Sequence, residues 1–568
     1  MTVSPGKNLL DKDFLDELTF FLENENPSKD DIAKKKVVLC RKFGLKKIPT
    51  DIEIFLNLKN PSRKVKELLR SKPVRTGSGV AVVALMTLPG KCPHGRCVFC
   101  PGGVDSFFGD VPQSYTGNEP ATMRGLRNDF DAYLQVFNRL EQYVAIGQSP
   151  EKVELIIMGG TFISYRNEYR EGFVRDAFNA MNDFSSLFFE EDFLVDKFKD
   201  FFELPGSIKD DKRVSRILKK IVELKKKNLD SLEVAKDKNH RVSRIKCVGL
   251  TIETKPDQGF KEHGEEMLRL GCTRVELGVQ TLLDDVLKKV CRGHSISDTE
   301  RSIRELRDLG FKLNFHMMPG LPSVSFDEEL KVFEELFSSS KYRPDMLKIY
   351  PLMVMPGTVL FDDYKKGLYD PLSTKDAVNL LSKVIPLVPE YCRVMRVQRD
   401  IPPKYAVAGP LVSNLRQLVD EKILSEKRVV REIRHREIRG DLVKDPVSLS
   451  VLEFDASSGK EFFISFSDAN DKLLGFVRLR FPASFNEVIT KDSCIVRELH
   501  VYGFASPISS NEGNAQHRGL GKKLMKKAEE IALKNNKKKV VVISGVGVRA
   551  YYEKLGYYLQ GPYVVKDL

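Results

Sequence analysis

The 568-residue chain has no uninterrupted apolar run of the roughly 18 residues that a helical membrane span needs, so no membrane protein is expected. Its first ten residues lack the charged head, apolar core and cleavage site of a secretory leader, and a cytoplasmic protein is expected. Cysteine is scarce, with nine residues scattered apart from one trio. An odd, modest count of this kind excludes a disulfide scaffold and suits a reducing compartment with a metal site.

What the chain does have is cores and positive charge. Hydrophobic residues make up 42% and charged residues 30%, a balance able to bury several cores over this length. The net charge of +13 is concentrated: residues 34–75 hold fourteen Lys/Arg against three Asp/Glu, and residues 391–439 hold twelve against six. Such fields attract polyanions and point to nucleic acid, with a solvated Lys-rich surface as the plainer alternative.

The trio lies in Cys92-Pro93-His94-Gly95-Arg96-Cys97-Val98-Phe99-Cys100, directly after the apolar run 80–86. That run reads as a buried strand and the Pro and Gly residues as a loop at its carboxyl end. Packing does not place Gly, Pro, His and Arg between cysteines, so the thiols read as ligands. Zinc would take His94 as a fourth ligand. An iron–sulfur cluster normally takes four cysteines, and three leave one iron open. Spacing alone leaves both open.

Residues 1–75 read as small basic helices suited to a phosphate backbone. From 76 to 370, six strand candidates alternate with helical stretches: 80–86, 153–158, 247–253, 274–279, 312–318 and 346–350. This predicts an α/β fold, a partial (β/α)6 barrel with reacting groups at the strands' carboxyl ends. Met158-Gly159-Gly160-Thr161, Glu276-Leu277-Gly278-Val279-Gln280 and His316-Met317-Met318 place polar groups and bare backbone on that rim. An overlong crossover, about 166–245, reads as a helical insertion whose Phe stripe is core. Residues 371–440 read as a linker without a clean period, its basic stretch 428–439 either a domain bridge or a nucleic-acid face. Residues 441–568 read as a second α/β domain. In it Gln516-His517-Arg518-Gly519-Leu520-Gly521-Lys522 opens a helix, an anion cradle of free backbone N–H groups.

At these residues the chain resembles a known family. The last domain is similar to GNAT acetyltransferases, whose Gln/Arg-x-x-Gly-x-Gly/Ala loop holds coenzyme A. The middle domain is similar to radical S-adenosylmethionine (SAM) enzymes. Together they resemble the catalytic subunit of Elongator and its single-chain archaeal and bacterial relatives. Matching stretches include Gln113-Ser114-Tyr115-Thr116-Gly117, Gln398-Arg399-Asp400-Ile401-Pro402 and Val496-Arg497-Glu498-Leu499-His500-Val501-Tyr502-Gly503. The match runs from about residue 70 to the end.

The resemblance implies a tRNA-modifying acyltransferase acting on the wobble uridine in the anticodon stem-loop. SAM at the open iron of a 4Fe-4S cluster would yield a radical that takes hydrogen from acetyl-CoA. The carbon radical would add to carbon 5 of uridine, and thioester hydrolysis would leave 5-carboxymethyluridine. It implies Cys92, Cys97 and Cys100 as cluster ligands, His94 as a loop residue, and an electron donor for the cluster; partner subunits are allowed but not required. For acetyl-CoA it implies Lys152, Glu498, Leu499, His500, Val501, Gln516, Gly519, Leu520, Gly521, Lys522 and Tyr552. Lys152, Tyr551 and Tyr552 are the catalytic candidates, the tyrosines as phenols able to donate a proton. Gly159, Gly160, Gln280 and His316 are candidates for the SAM pocket. The cysteine gaps, four then two, depart from the commoner three then two, and 430–439 lacks the linker cysteines of some relatives.

Two rival readings are a protein lysine acetyltransferase with a structural metal domain, and a non-catalytic tRNA-binding scaffold. Under the tRNA readings, replacing Lys34, Lys35 and Lys36 with alanine weakens tRNA binding and lowers the slope of log affinity against log salt, measured by filter binding. Unchanged binding would move the interface elsewhere.

Overall fold

The computed structural model describes residues 10–58, 61–69, 79–206, 210–228, 230–439, 442–503 and 519–568. They form two compact units. The first comprises Met1–Val83, Ala132–Val153 and Phe173–Lys246. It is largely helical, and its N-terminal part packs Phe14, Leu18, Leu22, Ile32, Leu39, Ile54 and Val65 into one core. Helix Asp51–Asn57 was not expected, although Thr50 and Glu53 close a capping box at its start. Lys36 pairs with Asp51 at 2.9 Å and Lys35 with Glu17 at 3.7 Å, so part of the basic field is neutralised internally. In the insertion the Phe stripe is core as expected, with Phe184, Phe188, Phe198 and Phe202 buried and their rings mutually packed.

The second unit, Ala84–Asp131, Glu154–Gly172 and Cys247–Leu568, carries most of the two sheets that matter for function. The barrel strands are β1 (Val80–Met86), β4 (Lys152–Met158), β5 (Lys246–Thr254), β6 (Arg274–Gln280), β7 (Lys312–Met317), β8 (Met346–Ile349) and β9 (Arg393–Val397). A small hairpin, β2 (Gly103–Ser106) and β3 (Gly109–Val111), follows the cysteine loop. The barrel sheet has the order β1-β4-β5-β6-β7-β8-β9, and β5 through β9 pair in parallel. All six expected strands are present. The seventh, β9, lies in the stretch 371–440 expected as a linker, which is instead ordered. It holds helices Thr374–Leu387 and Leu415–Ser425 flanking β9. Its periodicity was unreadable because β9 is only five residues long and its charges are spent on other side chains. Arg431 and Arg436 bind Asp471 at 2.5 and 2.7 Å, and Arg393 binds Glu437 at 2.6 Å. Of the two readings of 428–439, these pairs support the domain bridge.

The second sheet runs β10 (Ser448–Ala456), β11 (Gly459–Ser467), β12 (Leu473–Phe481), β13 (Ser493–Val501), β14 (Lys539–Val542), then β16 (Tyr563–Asp567) and β15 (Tyr558–Gln560). One face packs Val477, Leu479, Cys494 and Val496 against helix Leu520–Lys534 through Leu524 and Ala528. The other face is charged and meets the barrel. Opposite Arg478 and Leu479 stand Glu498 and Val496, so Arg497 is the extra residue of a β-bulge. Its guanidinium donates to Asp345, the residue before β8, at 2.7 and 2.6 Å, and to Glu461 at 3.0 Å. Arg480 donates to Asp308 at 2.7 Å and to Glu461 at 3.0 Å. All these groups are essentially buried. Burial alone would raise the Asp345 carboxyl, but Arg497 and Arg478 hold it far below its usual range. Removing one partner from such a set costs about 3–5 kcal/mol, because a charge is left buried alone.

A second ion cluster ties the stretch before this domain to itself. His435 Nδ1 lies 2.9 Å from Glu432 and its Nε2 3.5 Å from Asp420, with Arg416 bridging both carboxylates. Hydrogen bonds to Asp420 and then Glu432 raise the His435 pKa above its usual value. A raised folded pKa contributes stability that is complete below the unfolded value near ~6.5 and is lost as pH rises through the folded one. His435→Gln is therefore expected to lower Tm most at pH 6 and progressively less toward pH 9. A Tm difference independent of pH would show that the imidazolium contributes nothing.

Candidate active site

The carboxyl ends of the barrel strands surround a cavity of about 110 Å³. Cys92, Tyr115, Gly160 and Thr161 line it together with Tyr350, Arg396 and Arg399, and Glu253, Glu276, His316 and Lys348 form the floor. Gly159 and Gly160 have φ of +127° and +103°. A Cβ on Gly159 would lie 2.2 Å from Thr87 Oγ1, and one on Gly160 2.8 Å from Gln113 Cβ, so this turn requires glycine. Gly159 packs behind the wall, whereas Gly160, Gln280 and His316 line the cavity. Gln280 is held at φ +71°, and its buried Oε1 has no protein partner.

The three thiols face one another beside this cavity. Burial, and next the neighbouring Cys100 sulfur, push the Cys92 thiol up to about 11; burial and Cys97 raise Cys100. Three thiol donors suit a 4Fe-4S cluster with one iron left open. The surroundings suit it too: Arg292 Nη1 lies 3.6 Å from Cys97 Sγ, and Lys255 and Arg399 bring further positive charge. His94 Nε2 is 3.2 Å from Cys97 Sγ, a hydrogen-bonding neighbour of the sulfur. Burial, then Lys255 and Arg292, lower the His94 pKa to about 4, so the ring is neutral.

The cavity floor is built by charge. Glu276, fully buried, bonds His316 at 2.7 Å and Asn314 at 3.2 Å and forms a short ion pair with Lys348. Burial would raise its carboxyl, but Lys348 and His316 hold it well down. Glu253 accepts from the Tyr115 hydroxyl at 3.1 Å, and burial raises its carboxyl despite Lys348. Glu253, Glu276 and His316 come within 4.8 Å of one another, but the Lys348 ammonium already occupies the cation position among them. The sequence alone marked Glu276 only as a strand-end residue and did not single out Lys348, Arg396 or Tyr350. The signal was present: Arg274, Glu276 and Gln280 alternate on one face of β6, in a sheet whose strands should be apolar on both faces.

The second candidate site lies where β13 leaves β14. Their parallel register ends at Val496 with Val542, while β13 runs on to Val501 against β12 alone. Glu498, Leu499, His500 and Val501, the expected coenzyme A segment, are the part of β13 left without β14 and the only part not fully buried. Gly519 caps the following helix at φ +68°, a left-handed turn that brings Leu520, Gly521 and Lys522 onto the helix N-terminus. A Cβ on Gly521 would lie 2.8 Å from the Tyr551 hydroxyl, so that phenol reaches the loop. Tyr552 instead belongs to the domain core with Tyr557 and Leu524. Burial raises both phenols. Gln516 lies outside the described residues. Lys152 is the exposed first residue of β4, at the end opposite Gly159 and Gly160.

Comparison with known proteins agrees with this geometry. The radical SAM superfamily matches residues 86–336, its C-terminal domain 344–425, the ELP3 N-terminal domain 19–77, and the acetyltransferase (GNAT) family 430–557. The tRNA uridine(34) acetyltransferase of Methanocaldococcus infernus is 42% identical over 534 residues, 92% of each chain. Human Elongator complex protein 3 is 38% identical over 570 residues, 97% of this chain and 96% of that one. The solved structure of M. infernus Elp3 lacking residues 1–46 superposes with a TM-score of 0.69 at 35% identity, covering 86% of this chain and 99% of that one. The chain therefore belongs to the family of Elongator complex protein 3 and the archaeal tRNA uridine(34) acetyltransferases, in which a radical SAM domain, served by a 4Fe-4S cluster and SAM, is joined to a GNAT domain that takes acetyl-CoA.

Proposed function

We propose that this protein converts the wobble uridine of tRNA to 5-carboxymethyluridine, taking the added carbons from acetyl-CoA. The observation that supports this reading most directly is the union, in one unit, of a thiol-bordered cationic cavity and a splayed coenzyme A-type strand edge. When bound, the 4Fe-4S cluster and SAM supply radical chemistry at the methyl group of the acetyl thioester. Cys92, Cys97 and Cys100 hold the cluster, with Arg292 and Lys255 balancing its charge. Gly160, Gln280 and His316 border SAM, and Gly159 shapes the turn behind it. Arg399, and Arg396 beside Asp400, offer guanidinium donors at the cavity to an anticodon loop, while Lys348 is spent on Glu276. At the second site, Gly519, Leu520, Gly521 and Lys522 present backbone N–H groups to phosphate, while Glu498 to Val501 offer a strand edge to the pantetheine amides. Gln516 and Lys152 complete the proposed acetyl-CoA contacts. Of the two phenols, Tyr551 stands at the loop and is the better placed proton donor. The anticodon stem-loop is the proposed tRNA contact, and an external one-electron donor reduces the cluster.

The test is anaerobic turnover with SAM, acetyl-CoA and tRNA, the nucleosides being read by mass spectrometry. Wild type is expected to yield 5-carboxymethyluridine and Cys97→Ala none; equal product from both would end this mechanism. Protein acetylation undiminished after loss of all three cysteines would favour the lysine acetyltransferase reading instead. In the same assay Tyr551→Phe is expected to slow turnover by about a hundredfold and by more than Tyr552→Phe does. The reverse order would transfer the proton-donor role to Tyr552.

A further inference from the structure

The buried ion network between the barrel and the second sheet reaches the acetyl-CoA strand through one side chain. Arg478, on β12, is 2% exposed and is held over the rings of Phe463 and Phe476 at 5.3 and 5.0 Å. Its Nε donates to Glu498 Oε2 at 2.9 Å. Its other end faces the barrel: Nη1 lies 3.6 Å from the Asp345 carboxylate, and Nη2 donates to the Asp345 carbonyl at 3.4 Å. Asp345 is itself fixed, accepting two bonds from Arg497 and one from the backbone N–H of Leu313 at 2.9 Å. Burial would raise the Glu498 carboxyl, yet Arg478 and Lys312 hold it down, so it meets Arg478 as an anion.

Glu498 is the first residue of the β13 segment that has neither β14 beside it nor full burial. With β14 gone from one side, this segment is held by its ladder with β12 and by the side chains on its barrel face. Here the anchor is a charged pair whose far end belongs to the barrel. We propose that Arg478, fixed by Asp345, is a positioning residue for acetyl-CoA binding, setting the backbone of Glu498 to Val501 so that its free edge is formed before the ligand arrives. This rests on the acetyl-CoA site proposed above. It also means that Asp345, a barrel residue outside the acetyl-CoA contacts, contributes to acetyl-CoA affinity.

The bond to Glu498 needs the planar fork of arginine, since a lysine ammonium cannot reach both carboxylates at once. In the full-length protein, Arg478→Lys is expected to weaken acetyl-CoA binding about tenfold or more by calorimetry. SAM binding to the reconstituted enzyme stays within about twofold of wild type, and amide hydrogen exchange rises in residues 497–503. Arg480→Lys is the control. It perturbs the same buried network through Asp308 and Glu461 but has no bond to Glu498, and acetyl-CoA affinity is expected to change less than about threefold. Equal affinity losses in the two variants would reduce Arg478 to general packing and overturn the proposal, as would wild-type affinity in Arg478→Lys. If Arg478→Lys shows no cooperative melt, Glu498→Gln reads the same bond with shape preserved. A several-fold weaker affinity is then expected, and wild-type affinity refutes. A wild-type chain that fails to bind acetyl-CoA would instead overturn the function proposed above.

Discussion

A carboxylate buried between two domains is the constraint on which much of this molecule depends. Asp345 precedes β8, accepts from the start of β7 at Leu313, and is gripped by Arg497 from the neighbouring sheet. Its desolvation is tolerable only because the guanidinium meets it with two parallel bonds and Arg478 stands close behind. Neither partner can leave alone without stranding a charge in an apolar interior. The barrel and the acetyltransferase sheet are therefore held together by mutual need of charges as well as by apolar contacts such as Tyr391 stacked on Phe454, and the geometry of one is transmitted to the other.

The same economy of charge recurs inside the barrel. Glu276 sits at the bottom of the cavity with His316, Asn314 and Lys348 around it. A barrel lumen is usually filled by branched apolar side chains. Filling this one with paired charges lets the cavity present donors and acceptors at fixed positions, while Lys348 leaves no vacancy for a stray cation. Two neighbouring carboxyls are driven apart in acidity, Glu253 up and Glu276 down, because only one of them has Lys348 and His316 in contact.

Much of the architecture could be read from residues alone. The six expected strands followed from apolar runs alternating with helical periods, and the thiol loop fell where parallel strands end. The stretch 371–440 failed for a definable reason: β9 spans five residues, and the arginines around it look like a solvated or polyanion-seeking surface until their carboxylate partners, distant in sequence, are known. Helix Asp51–Asn57 was legible and overlooked, since Thr50-Asp51-Ile52-Glu53 is a capping box in plain sight. In the cavity, the glycine turn and the thiols were visible as local motifs. Lys348 and Arg396 were not, because each lies in a strand of four or five residues and acquires meaning only beside Glu276 or Asp400. The tyrosine pair shows the same limit: only the direction of a five-residue helix separates the core phenol from the one at the loop.

The bulge at Arg497 has a consequence for chain length as well as chain chemistry. Side chains on a strand alternate between faces, and here Cys494 and Val496 point into the domain core, as do Leu499 and Val501 beyond the extra residue. Two consecutive residues, Arg497 and Glu498, thereby face the barrel together, one binding Asp345 and the other Arg478. Deleting Arg497 would return the strand to plain alternation, with Glu498 and His500 still toward the barrel and Leu499 and Val501 still toward the core. What such a deletion removes is the guanidinium on Asp345, so the extra residue adds an anchor on the barrel without changing which side chains the coenzyme A segment presents.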